Sequence, residues 1–272
     1  MLRNIPVRSI CLLAILGFAP AFAATDRDTL YQVSTIDALM AGVADGAMPI
    51  KELTKHGNIG VGTFEGLDGE MILVDGKVYR VNSLGKVDRM PADALTPFAQ
   101  VSWFDKDKTV PVQTALDLAG LEKMLDAASP SQNYPVFFRV EGTFPYIKTR
   151  AVPKQSKPYP GLGEVAGKQA VFEARDMEGT LVGLRTPAYT KGLSVPGYHM
   201  HFLSRDRAFG GHVLALEMTA GIVYVDDTSR YEVVLPLNLA YANADLARDR
   251  SAAIAKAEKD TGVTPKEADA LP

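Results

Sequence analysis

The stretch Gly197–Leu214, "GYHMHFLSRDRAFGGHVL", constrains this chain more than any other. It holds three of the four histidines, His199, His201 and His212, within fourteen positions. "YHMHFL" has the apolar and aromatic character of a strand, where residues i and i+2 share a face. His199 and His201 therefore project side by side. A polar loop, "SRDRAFGG", follows, and "HVLAL" resumes as a strand. The spacing predicts a hairpin centred near Asp206–Arg207 with His212 opposite His201. Directly opposed side chains on one face lie about 4.5–5.5 Å apart at Cβ, so three imidazoles converge without help from any distant part of the chain.

Three neutral nitrogen ligands with open positions form the ligand set of a catalytic zinc. A structural zinc in an exported protein more often uses four ligands, typically with cysteine. Imidazole also suits manganese, iron and nickel. H-x-H alone is a weak signal, because strand histidines often just donate to a carbonyl. A third histidine at hairpin distance is what strengthens it. His56, in "KHGNIG", lacks such company and reads as a loop or helix-end residue.

The 272 residues, 47% of them hydrophobic, suffice for one large domain or two small ones with a real core. A net charge of −3 leaves no basic excess for a nucleic-acid backbone. At the N-terminus, Arg3 and Arg8 precede the apolar run Ile10–Phe18, and "APAFAATD" places Ala21 and Ala23 as an A-x-A cleavage site. Residues 1–23 read as a secretory signal peptide, with Ala24 beginning the mature chain. The apolar stretch is too short to span a bilayer comfortably, and no other segment reaches the length of a membrane helix. The expected location is periplasmic or secreted, with no membrane attachment after cleavage. Cys11 lies inside the signal, so the mature chain has no disulfide. Cleavage removes two arginines and no acids, moving net charge from −3 to −5.

Along the chain, "TIDALMAGVADG" reads as a short helix ending at a glycine. "IGVGTFEG", "EMILVDG" and "KVYRVNS" read as a meander with glycine turns, and "FAQVSWF" as a further strand. "TALDLAGLEKMLDAA" is the clearest helix. "YPVFFRVEGTF" and "YIKTRAV" read as two strands. "PKQSKPYPGLGEVAG", rich in proline, glycine and lysine, reads as a linker or crossover loop. Beyond it come mainly strands, "QAVFEARDMEGTLVGLRTP", "YHMHFLS", "GHVLALEMTAGIVYVDD" and "RYEVVLPL". Last is "ADLARDRSAAIAKAEKD", helical in composition with a thin apolar face. The expected fold class is α/β, α+β-like: two sheet-rich lobes with mixed β-sheets and few helices. Residues 24–155 would form an N-terminal α/β lobe. Residues 156–272 would form a β-rich lobe with the metal hairpin and a C-terminal helical tail.

Three blocks in order, "GTFEGLDGEMILVDGKVYRV", "PYIKTRAVPKQSKPYPGL" and "GYHMHFLSRDRAFGGHVL", resemble the α-acetolactate decarboxylase family from about Tyr31 to the C-terminal helix. The resemblance implies a two-domain α/β protein, usually a homodimer, that converts 2-acetolactate to acetoin and carbon dioxide with Zn2+ held by His199, His201 and His212. It places the family's active-site arginine on Arg150, its glutamate on Glu70, its threonine on Thr63 and a second glutamate on Glu258. Without it, Glu70 would read as exposed, Arg150 as a surface residue or a phosphate contact, Glu258 as a solvated helix residue and Thr63 as an ordinary strand threonine.

The implied chemistry is self-consistent. Loss of carbon dioxide from a β-keto acid leaves electrons that flow into the neighbouring ketone, giving an enediolate. The substrate hydroxyl and ketone can chelate a metal that acts as Lewis acid. No thiamine or pyridoxal is needed. Glu70 or Glu258 could protonate one face, and Arg150 could bind the carboxylate or an oxyanion. Rival readings are a carbonic-anhydrase-like zinc hydratase, a cupin-type oxygenase and a non-catalytic metal-binding protein. The hydratase's third histidine comes much further along. The oxygenase would want a glutamate that "HMHFLSRDRAFGGH" lacks. The carrier would show a mobile histidine- or methionine-rich surface rather than apolar flanks.

Overall fold

A computed structural model describes residues 27–258 and the backbone of 266–267; the expected signal peptide, residues 1–23, lies outside the described residues. The chain begins with β1 (Thr29–Val33), α1 (Ile36–Met40), β2 (Met48–Pro49) and α2 (Ile50–Leu53). Thr35 caps α1, its hydroxyl accepting from the Ala38 amide. Then come β3 (Ile59–Thr63), β4 (Glu70–Val74), β5 (Lys77–Val81), β6 (Val87–Arg89), β7 (Leu95–Thr96) and β8 (Ala99–Ser102). The second half runs β9 (Lys108–Val112), β10 (Leu116–Asp117), α3 (Leu118–Ala128), β11 (Val136–Ala151), α4 (Leu162–Ala166), β12 (Ala170–Thr186), β13 (Gly197–Ser204), β14 (Gly210–Met218), β15 (Ala220–Asp227) and β16 (Arg230–Val234). It closes with α5 (Leu239–Ala242), α6 (Ser251–Ala257) and β17 (Lys266–Glu267).

Two large sheets result, with few and short helices, as the sequence predicts. The first has the order β16-β1-β8-β3-β4-β5-β6. It is mixed, because β16 runs parallel to β1 while the other pairs are antiparallel. The second has the order β10-β14-β13-β12-β11-β15-β9, with β17 added beside β12. Within it, β14 pairs with both β13 and β11, closing β11–β14 into a ring. Strands β3 and β4 of the first sheet pack across β12, β13 and β14 of the second. Val61, Ile72, Phe138, Phe144, Phe202 and Leu203 fill the space between them, all fully buried.

Three details differ from the sequence expectation. "YPVFFRVEGTF" and "YIKTRAV" form one strand, β11, running through Pro145. β11 pairs with β15 up to Thr143 and with β14 from Tyr146, so the missing proline amide falls between two ladders. "GHVLALEMTAGIVYVDD" is broken at Thr219 into β14 and β15. The strands change sheet between Ser102 and Lys108, ahead of the lobe boundary expected at 155/156, and β16 returns to the first sheet. The proline-rich loop there is no free linker: the Gln155 amide donates to the Gly66 carbonyl at 2.7 Å, and Lys157 pairs with Asp45.

Candidate active site

The hairpin forms in the expected register, with His201 opposite His212. His212 also faces Arg150 across β11, so Arg150, His212 and His201 are successive cross-strand neighbours. A β-bulge makes this possible. Lys148 pairs with Ala215 but Thr149 pairs with Val213, leaving Leu214 as an extra residue. Without that slip Arg150 would oppose Val213 and point to the other face. The turn into β14 depends on Gly211, at φ +133° with the Arg150 carbonyl 2.5 Å from where a Cβ would sit.

All three imidazoles are buried, and one ligand atom from each lies within 4.8 Å of the others. His201 Nδ1 lies 2.7 Å from the Met71 carbonyl of β4. Nδ1 therefore carries the proton and Nε2 presents a lone pair inward. His199 Nε2 is 3.2 Å from His201 Nε2, close to the about 3.3 Å separating two nitrogens on a tetrahedral zinc with Zn–N near 2.0–2.1 Å. His199 Nδ1 and His212 Nδ1 are buried with no partner among the described residues. The buried Nε2 atoms of His199 and His201, which face one another, fit a cation better than they fit an empty core. Burial, then the nearby Arg150 charge, pushes His199 down to about 3. Burial also lowers His201 and His212 well below the ordinary value. The rings are neutral, as metal ligands must be.

The first sheet supplies the acid. Thr63 and Glu70 are a cross-strand pair on β3 and β4. Gly69, at φ +81°, turns the chain directly before Glu70. The Thr63 hydroxyl donates to the Gly69 carbonyl at 2.7 Å and fixes that turn. Arg150 Nη1 donates to Glu70 Oε1 at 2.6 Å, and Glu70 Oε2 is 3.5 Å from His201 Nε2. Burial raises Glu70 to about 7 against the opposing pull of Arg150, with Glu258 adding to the rise and the Val152 amide opposing it. Arg150 Nε is buried with no partner among the described residues.

Glu258 arrives from a third direction, at the C-terminal end of α6. Its carboxylate stands 3.5 Å from His212, 3.9 Å from His199 and 3.8 Å from Arg150. Burial raises its pKa. Leu39, Phe98 and Leu162 give the cavity beside these groups an apolar wall. All seven residues singled out from the sequence thus lie in one place. His56 does not; it follows α2 and stacks on Tyr31 with ring centroids 3.6 Å apart. Sequence reasoning missed the Met71 carbonyl, the bulge at Leu214 and the apolar wall. None of these is marked in the local sequence; the paired glycines before His212 mark only the close approach of β14 to the Arg150 carbonyl.

The family model for alpha-acetolactate decarboxylase matches residues 30–248. A relative of that name from Methanosarcina mazei is 43% identical over 90% of this chain and 85% of its own length. Another from Methylococcus capsulatus is 45% identical over 84% of this chain and 88% of its own. The crystal structure of alpha-acetolactate decarboxylase from Bacillus subtilis superposes with a TM-score of 0.82 at 33% identity, covering 86% of this chain and all of that one. The shared fold, the near-complete coverage and the residues gathered between the two sheets have one reading: the chain belongs to the alpha-acetolactate decarboxylase family, a family of carboxy-lyases.

Proposed function

We propose that the chain decarboxylates 2-acetolactate to acetoin with a zinc ion held by His199, His201 and His212. The observation that carries this is the convergence of three buried neutral imidazoles with one arginine, the buried carboxylate of Glu70 and the partly buried one of Glu258. Zinc held there would supply Lewis acidity toward the negative charge that develops as carbon dioxide leaves. Arg150 offers a planar fork of donors, one engaged by Glu70 and one, Nε, without a partner. That fork orients the substrate carboxylate. The strong bond from Arg150 favours the charged form of Glu70, whereas Glu258 lies more than an ångström further from the guanidinium. Two neighbouring carboxylates hold a proton between them, and Glu258 is the member that keeps it and delivers it to the carbon that lost carbon dioxide. Thr63 is a positioning residue, holding the turn that aims Glu70. The Leu39, Phe98 and Leu162 wall excludes water from the enediolate.

The N-terminal leader pattern supports export to the periplasm or medium as residues 24–272. The run Leu235, Leu237 and Leu239, exposed behind edge strand β16, supports a homodimer. The test uses the mature chain. Metal content is measured, and acetoin formation from racemic acetolactate is followed with and without chelator. About one zinc per chain, with turnover lost on chelation and restored by zinc, is expected. Bound metal without acetoin would overturn the reading and turn attention to carbon dioxide hydration or metal carriage.

A further inference from the structure

Two cavities meet at α6. The inner one, of about 30 Å³, is lined by Thr63, Glu70, Arg150, His199, Leu162 and Glu258. That is room for about one water, while small-molecule sites usually offer about 300 Å³ or more. The outer one, of about 650 Å³, is lined by Leu118, Tyr198, Val213, His212, Ile254 and Glu258. Glu258 borders both, so α6 is the wall between them.

That wall is lightly held. α6 has seven residues, and Ile254 and Ala257 are its only buried side chains. No side chain caps its N-terminus. The segment before it is tied down by an exposed pair, Lys191–Asp249, at 2.9 Å, and exposed pairs of this kind contribute little. Glu258's carboxylate has no contact nearer than 3.5 Å to the imidazoles or Arg150. By contrast, the strands that carry the histidines are paired on both sides.

We propose that α6 is a gate, that the outer cavity is the chamber through which the β-keto acid reaches the metal centre, and that the site is closed when α6 docks on α4. The assignment of the ligand rests on the function proposed above; the gate itself does not. In the docked state Glu258 completes the site and the inner cavity is sealed. With α6 displaced, the two cavities merge and the imidazoles face the chamber.

The mature chain has no cysteine, and a Cβ placed on Gly163 of α4 would lie 3.8 Å from the Ala253 Cβ of α6. That is about the mean Cβ–Cβ separation of a disulfide. The nearest obstacle is the Met40 Cε, at 3.2 Å, the far end of a flexible side chain. The double variant Gly163→Cys/Ala253→Cys, zinc-loaded, is compared oxidised and reduced. Oxidation is expected to lower kcat/KM at least about tenfold and to slow zinc loss to EDTA by a similar factor, with both restored by a reductant. Turnover and zinc loss within roughly twofold of the reduced form would overturn the gate. Slowed zinc loss in a protein with no turnover in either state would keep the gate and sink the decarboxylase reading. Ile254→Ala provides an independent arm that needs no cross-link: faster zinc loss and faster amide exchange over residues 251–258 support the gate. Unchanged rates count against it.

Discussion

The three-histidine site has a strand side and a helix side, and they are built to different standards. His199, His201, His212 and Arg150 stand on β11, β13 and β14, in a closed ring of ladders. Met71 and Glu70 brace them from β4. Glu258 stands at the end of a seven-residue helix with two buried side chains. Groups that must hold fixed geometry gain from strands whose neighbours pin them on both sides. The role proposed for Glu258, donating a proton and letting substrate past, calls for an element that opens at low cost.

The comparison can be broken most directly on the strand side. His201→Ala or His212→Ala is expected to abolish both zinc retention and turnover, read by metal analysis and the acetoin assay. Residual zinc at wild-type stoichiometry would show that the triad is not the metal site. Arg150→Ala comes next, lowering kcat/KM by about 10²–10³. It also lowers Tm, because Glu70 loses the charge that compensates its burial. Glu258→Gln sharpens the contrast. Its kcat falls by about 10²–10³, while Tm moves by less than about 2 °C because the helix side contributes little packing. The same variant carries the pH argument. Burial holds Glu258 above the ordinary carboxylate value, so its acid form is present below that raised pKa and lost above it. Wild-type kcat should therefore fall as pH rises through it. The histidines, already neutral with His199 at about 3, add no loss until far lower pH. A wild-type kcat flat from about pH 5 to 9 would remove the carboxylates from the proton-transfer role.

The smallest expected effect lies away from both sides. Asp226 at the end of β15 is buried, its Oδ2 accepting from the Asp105 amide at 3.0 Å and its Oδ1 without a partner. Burial, reinforced by Asp107, Asp28 and Asp105, raises it to about 7. In the unfolded chain the same carboxyl loses its proton near its ordinary value. The folded state therefore binds more protons between the two, and the contribution declines as pH rises from about 4 to about 7. Asp226→Asn should remove that decline, raising Tm relative to wild type by about 2–4 °C more at pH 8 than at pH 4. An equal difference at both pH values would show that the carboxyl is ionised throughout.

The strand side was legible in the sequence because its signal is local. The two-residue spacing of His199 and His201 and the hairpin distance to His212 need only strand geometry. The resemblance named Glu70, Arg150, Thr63 and Glu258, but their meeting was not readable from spacing. Glu70 and Arg150 are eighty positions apart and touch because β4 of one sheet packs on the ring of the other. The change of sheet between Ser102 and Lys108 was hidden for a similar reason: pairing partners are set by sheet packing, and a proline-rich loop looks the same whether free or docked. The last helix shows only a thin apolar face in the sequence, and α4, against which it packs, carries no mark of that contact in its own composition.

The extra residue in β14 bears on how this chain tolerates change. Deleting Leu214 would leave an unbroken ladder against β11 with every pairing kept, Arg150 still opposite His212. What would go is the bend and added twist that a bulge gives its strand. A chain one residue shorter here would keep its arginine and histidines in register and change only the angle at which β14 leaves them.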